Sequence, residues 1–183
     1  MGIDILKEKI GDDNRFKIFR NHQKKSLNSP YLARNIGLEN AQGKYICFLD
    51  IDDIWLPNKL MREYKLISNN KGLNLIFSEY YRYQKKKEIL KIRKPIKFIN
   101  IKFLINYINP VPMLCSCVKA EQASKIRFKP VYHEDYIFWK ELFSMIPVNS
   151  IFIDNEPNTI YNISENSLSS NKIKSISWLW KVY

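Results

Sequence analysis

The stretch that most constrains this chain is Lys44-Tyr45-Ile46-Cys47-Phe48-Leu49-Asp50-Ile51-Asp52-Asp53. Residues 45–49 form a short apolar run rich in β-formers, the pattern of a buried central strand in a parallel sheet. Asp50 and Asp52 follow at its carboxyl end. If the chain stays extended there, residues i and i+2 project to one side. The two carboxylates then converge, and Ile51 points back into the core. Open α/β sheets take ligands at that edge, and converging carboxylates are hard-oxygen donors suited to Mg²⁺ or Mn²⁺. The same residues also fit a solvated acidic turn after a strand, since short acidic stretches arise readily by chance.

The rest of the chain sets the context for that edge. A length of 183 residues, with 45% hydrophobic and 26% charged, predicts one globular domain with a core of its own. Only 5 glycines are present, which argues against a Gly-rich phosphate loop. Cys47, Cys115 and Cys117 make neither a disulfide framework nor a common zinc spacing. All three read as small buried apolar residues in a reducing compartment. No signal-peptide pattern opens the chain. No run reaches the roughly 18–20 apolar residues of a membrane span; residues 103–118 come nearest, interrupted by Asn106, Asn109, Pro110 and Pro112. The expected location is the cytoplasm.

A net charge of +12 favours anionic partners: nucleic acid, acidic lipid or phosphorylated small molecules. Arg82, Lys85, Lys86, Lys87, Lys91, Arg93, Lys94 and Lys97 concentrate that charge. They read either as a solvated hairpin or as a patch for peripheral contact with the anionic inner-membrane surface.

Taken in order, the spacing predicts an amphipathic helix over 3–10, a strand over 16–19 and a polar loop over 21–29. A helix then begins at Pro30, capped by Ser29, and stops near Gly43. Arg34 and Asn35 lie in its first turns, where free N–H groups favour a diphosphate; a solvated Arg fits equally well. Pro57 opens a helix with Leu60, Met61, Tyr64 and Ile67 on its apolar side. Strands follow over 73–77 and 113–118, with helices over 96–107 and 120–125. Glu134 and Asp135 begin another helix, where a carboxylate also serves as a cap, and Trp139 on it fits either core or a ligand platform. Strands over 151–153 and 159–161 precede a polar turn and a basic, aromatic segment over 173–183.

Three stretches together resemble the inverting family-2 glycosyltransferases of the GT-A fold. They are Ala33-Arg34-Asn35-Ile36-Gly37 with Ala41-Gln42-Gly43-Lys44-Tyr45-Ile46; Phe48-Leu49-Asp50-Ile51-Asp52-Asp53 with Trp55, Pro57, Lys59 and Leu60; and His133-Glu134-Asp135-Tyr136 with Phe138-Trp139. The tail with Ser167, Trp178 and Trp180 looks like members that build lipopolysaccharide or capsule.

The resemblance implies a three-layer α/β fold around a mostly parallel central sheet. It implies that Asp50 and Asp52, as the family's DXD acids, hold Mn²⁺ or Mg²⁺ against the diphosphate of a nucleotide-sugar donor. Asp53 would orient that loop, and Arg34 and Asn35 would sit on the donor diphosphate. Asp135 would be the catalytic base, with Glu134 and Trp139 on the side of a glycolipid or polysaccharide acceptor. The chain then divides into a metal and diphosphate half (3–72), an acceptor half (73–165) and a basic-aromatic C-terminal helix (166–183).

Family members begin with a strand, a helix and a second strand ending in Asp-Asp-Gly-Ser, which bind the nucleoside. That pattern does not occur here. The expectation is an N-terminally truncated domain, either active alone or a catalytically incomplete fragment of a split or frameshifted gene, inactive alone unless a complementing N-terminal segment completes it. A basic nucleic-acid-binding protein is the remaining reading. No nucleic-acid-binding motif supports it, and no nucleic acid is expected as partner.

Overall fold

The computed structural model describes residues 2–20, 30–84, 89–93 and 101–163. The expectations for residues 21–29, for Lys85, Lys86, Lys87, Lys94 and Lys97, and for the tail with Trp178 and Trp180 lie outside these.

Helix α1 (Gly2–Ile10) stops at Gly11, whose φ of +56° ends the helical path at low steric cost. Helix α2 (Tyr31–Asn40) leads into strand β1 (Tyr45–Cys47), and a two-residue strand β2 (Ile54–Trp55) precedes α3 (Lys59–Asn69). Strands β3 (Leu75–Ser78), β4 (Tyr80–Gln84) and β5 (Ile89–Arg93) follow, then a single turn α4 (Ile101–Leu104). A 3-10 turn over Met113–Cys115 runs into β6 (Ser116–Lys119) and the short α5 (Ala120–Ala123). Helix α6 (Glu134–Met145), β7 (Ile151–Asp154) and β8 (Thr159–Asn162) complete the order.

The first sheet runs β1-β6-β3-β7. β6 is antiparallel to both β1 and β3, whereas β3 and β7 are parallel. Three strands thus share a direction and β6 opposes them, so the sheet is mixed. β1 was expected at the centre as a buried strand over 45–49. It lies at one end of the sheet among the described residues, is only half-buried, and stops at Cys47.

Alternation along the strands assigns the two faces. Leu75, Phe77 and Val118 join Phe138, Trp139, Leu142 and Phe143 of α6 in the main core. Ile76 and Cys117 face the other way and meet Leu66 and Ile67 of α3. The result is a helix–sheet–helix stack, the layer plan of an α/β domain.

A second sheet, β2-β8-β4-β5, was not anticipated. Its β4–β5 hairpin pairs Tyr80 with Arg93 and Arg82 with Lys91, so part of the basic stretch is hairpin, as one of its two readings required. β8 lies between β2 and β4 and ties residues over a hundred positions apart to the start of α3. Among the described residues, no helix is long and apolar enough to cross a membrane.

Two local expectations fail. Residues 16–19 form no strand, and Phe16 and Phe19 stand exposed, because among the described residues no strand offers them a ladder. Helix α3 packs Ile67 inward as its hydrophobic pattern predicts but turns the rest of that expected face outward. Leu60, Met61 and Tyr64 face solvent, while Lys59 and Glu63 are buried. The reason is a buried i,i+4 ion pair between Lys59 and Glu63, with the Lys59 ammonium 5.3 Å from the centre of the Trp55 ring.

Candidate active site

The acidic stretch does not continue β1. The Asp53 N–H donates to the Asp50 carbonyl at 3.1 Å, closing a turn with Ile51 and Asp52 at its corner. This corrects the extended geometry expected for Asp50 and Asp52. Ile51 points out, at 105% relative exposure, rather than into the core, and Asp52 is exposed. The turn swings Asp53 inward instead. Its Oδ1 accepts from the Asn162 N–H at 3.0 Å, and the Asn162 side chain donates to the Asp52 carbonyl. The end of β8 therefore pins the turn. Burial, and after it the charges of Asp52 and Asp50, push the Asp53 carboxyl up to about 6.

Arg34 reaches this turn from the first turns of α2. Its Nη2 donates to both Asp50 oxygens, at 3.0 and 2.9 Å, and its Nη1 donates to Glu134 Oε1 at 2.8 Å. The guanidinium also lies 5.6 Å from the centre of the Phe128 ring. Residues 34, 50 and 134 thus share one ion network, a planar donor fork held between two carboxylates. Nε of Arg34 is buried and finds no acceptor among the described residues.

Asn35 does something else. Its side chain donates to the Phe128 carbonyl and accepts from the Phe128 N–H, both at 2.9 Å. The carboxamide oxygen and one of its N–H groups are committed to backbone, so Asn35 clamps α2 to the 128 segment.

Helix α6 begins directly after His133, which adopts the left-handed conformation at φ 59°. Glu134, buried, turns to Arg34; Asp135, half-buried, turns the other way. Asp135 Oδ2 accepts from the Asn109 side chain at 2.7 Å. Glu134 therefore fixes the guanidinium on Asp50 rather than serving the acceptor side. Trp139 is fully buried, 5.1 Å from Phe138 ring to ring, and cannot meet an acceptor at all.

Asn109 and Asn162 were not singled out as site residues. Asn109 precedes Pro110, a turn signal that placed it on a loop but carried no hint of its partner twenty-six positions on.

A cleft of about 490 Å³ runs beside α2 and β1, lined among others by Ala33, Arg34, Gly37, Gly43 and Asp50. Of the three acids of the turn, Asp50 meets the Arg34 guanidinium, Asp52 is exposed, and Asp53 turns inward with its carboxyl pushed up to about 6. Such an oxygen-rich, charge-deficient donor set fits Mg²⁺ or Mn²⁺, which bind through one or two carboxylates plus substrate phosphates.

Comparison with known proteins connects this geometry to a family. The family model described as "Glycosyl transferase family 2" matches residues 3–120. An uncharacterized glycosyltransferase of Haemophilus influenzae is 31% identical over 181 residues, covering 99% of this chain and 70% of that protein. The Escherichia coli protein WfgD, a UDP-Glc:alpha-D-GlcNAc-diphosphoundecaprenol beta-1,3-glucosyltransferase, is 29% identical over 188 residues, covering 97% and 72%. Among solved structures, Staphylococcus aureus TarS in complex with UDP-GlcNAc superposes with a TM-score of 0.71 at 15% identity. That match covers 93% of this chain, which spans 48% of the TarS chain, about half its length. The region matched by the family model contains Arg34 and the Asp50–Asp53 turn. With its GT-A fold, the chain belongs to glycosyl transferase family 2.

Proposed function

We propose that this chain transfers a sugar from a nucleotide-diphosphate donor, UDP-linked, to a glycolipid or polysaccharide acceptor in cell-envelope polysaccharide biosynthesis. The observation that carries the reading is the meeting of Asp50, Arg34 and the start of α6 in one network, across a hundred residues of sequence. The activity that WfgD's name describes and the UDP-GlcNAc bound in TarS support the choice of donor and acceptor class. In this reading the chain works as a single domain, with the metal and diphosphate residues within 3–72, the acceptor residues within 73–165, and 166–183 a basic-aromatic segment. It works at the cytoplasmic face of the inner membrane, with the basic hairpin as its peripheral contact.

Asp50 and Asp52 would hold Mn²⁺ or Mg²⁺ against the donor diphosphate. Bound there, the cation supplies Lewis-acid neutralisation of the leaving diphosphate. Arg34 adds a second positive group at the same place. Asp53 and Asn162 fix the turn that presents the two acids. Asp135, with one oxygen held by Asn109, takes the proton of the acceptor hydroxyl. The acceptor oxygen bonds to the anomeric carbon as the bond to the diphosphate breaks on the opposite face, so one displacement inverts the configuration.

Calorimetric titration with UDP, with and without Mn²⁺, tests the reading. UDP binding that requires Mn²⁺ and disappears in Asp52→Ala is the expected result. Equal UDP affinity in Asp52→Ala would remove the metal role from this turn. A folded chain that binds no UDP under either condition would mean that this chain alone is not a transferase.

A further inference from the structure

The opposite face of β1 carries a second group of ligand-type side chains that the transfer reaction does not use. Cys47 on β1 and Cys117 on β6 are directly opposed in the antiparallel ladder. The Ala120 N–H donates to the Lys44 carbonyl at 2.9 Å, which makes residues 44 and 120 a hydrogen-bonded pair. Alternation then makes Cys47 and Cys117 a non-hydrogen-bonded pair, the kind in which facing side chains come closest.

Both thiols project toward α3, where Glu63 is waiting. Cys47 Sγ lies 3.6 Å from Glu63 Oε2. The two sulfurs and a Glu63 carboxylate oxygen all lie within 4.8 Å of one another. Lys59 holds the other carboxylate oxygen, and Lys59, Glu63 and Cys117 are each at most 2% exposed. Leu73 and Ile76 close the surroundings with apolar groups.

We propose that Cys47, Cys117 and Glu63 form a metal site distinct from the acidic turn, taking a thiophilic divalent ion of the Zn²⁺ class. The donor set is two sulfurs and one oxygen, which soft and borderline ions prefer over Mg²⁺ or Mn²⁺. Zn–S bonds of about 2.3 Å and Zn–O bonds of about 2.0–2.2 Å place tetrahedral ligands roughly 3.3–3.8 Å apart. Three atoms already within 4.8 Å reach that spacing by side-chain rotation. They supply three of four positions, and the fourth falls to a water.

Charge is what makes the burial tolerable. With both thiols protonated, the Lys59 ammonium and the Glu63 carboxylate cancel. A divalent ion that displaces the two thiol protons leaves the sum at zero, so no net charge enters the interior. Lys59 then acts as an outer partner that orients the Glu63 carboxylate, as outer partners of metal ligands do. The proposal is independent of the transfer reaction.

The test is titration of the full chain, kept reduced by a phosphine, with Cd²⁺ and Co²⁺. The expected result is a thiolate-to-metal charge-transfer band that saturates at one ion per chain, with two protons released per ion. Cys47→Ser and Cys117→Ser should each lose the band, whereas Cys115→Ser and Asp52→Ala should keep it. A normal circular dichroism spectrum for each variant shows that it folds. No band in the reduced wild-type chain would overturn the proposal. So would a band that survives in Cys117→Ser but vanishes in Cys115→Ser. A Cys47–Cys117 disulfide in air, with no ion bound after reduction, would assign the pair to thiol chemistry instead and also overturn it.

Discussion

Two charged clusters flank strand β1, and they are built on opposite plans. At the carboxyl end, Asp50, Asp52 and Asp53 outnumber the single guanidinium of Arg34, and the Asp50 side chain stays 44% exposed. Beneath the strand, Lys59 and Glu63 match one to one, at 0% and 3% exposure. The buried pair is neutral in itself and accepts a cation only against the loss of protons, whereas the exposed acids carry charge that a cation could neutralise directly. That imbalance is what supports the proposed role of the turn.

The largest effect expected from the open side is loss of chemistry. Asp135→Asn should leave Mn²⁺-dependent UDP binding intact and lower sugar transfer by about 10²–10⁴-fold, the range of general-base catalysis. Single-turnover transfer measured beside UDP titration checks it; near wild-type transfer would move the base elsewhere. Next in size is the closed pair. Lys59→Met alone should destabilise by about 3–5 kcal/mol in urea unfolding, because it strands a buried carboxylate. Lys59→Met with Glu63→Leu should recover most of that loss, and a double variant as unstable as the single would show that the pair is more than balanced charge.

Asp53 gives a smaller effect with a defined pH sign. Its folded-state value of about 6 lies above the ordinary 3.8, so the native protein binds the extra proton between those limits. Stability therefore falls as pH rises through that window, and the full penalty is present above about 6. Asp53→Asn, which keeps an acceptor for the Asn162 N–H, should be more stable than wild type by on the order of 2 kcal/mol at pH 8 without metal. It should show no gain at pH 4. An equal gain at both values, read from urea midpoints, would place the cost outside this carboxyl. The smallest effect belongs to Ile51→Ser at the exposed corner, within about 0.5 kcal/mol of wild type by the same measurement.

Sequence patterning was most legible where side chains meet the core at one period. Tyr136, Trp139, Leu142 and Phe143 on α6 bury as their spacing requires, and the strands at 75–78 and 151–154 stand where short apolar runs placed them. The same logic misjudged most of α3, because a buried ion pair with a Trp55 ring over its ammonium turns outward most of the face that hydrophobicity selects. It left the acids open between an extended end and an acidic turn; one backbone hydrogen bond decides for the turn and sends Ile51 outward. The sequence offers Asp50, Arg34 and Asp135 as candidates, but it does not show their partners. Asn162 reaches Asp53 across 109 positions and Asn35 reaches Phe128 across 93, distances that no local pattern encodes. The second sheet stayed hidden for the same reason, since β2 is two residues long and exists only because β8 returns beside it.

The Arg34 bridge makes occupancy of the site an exchange rather than an addition. Asp50 already has a resident counter-charge, shared with Glu134. A cation settling on Asp50 displaces the guanidinium from it, and a displaced guanidinium in a partly buried place calls for an anion. In the proposed reading, metal and diphosphate would therefore enter together, each raising the other's affinity by the same factor. Asp50 would then answer to the loaded donor more readily than to an ion alone.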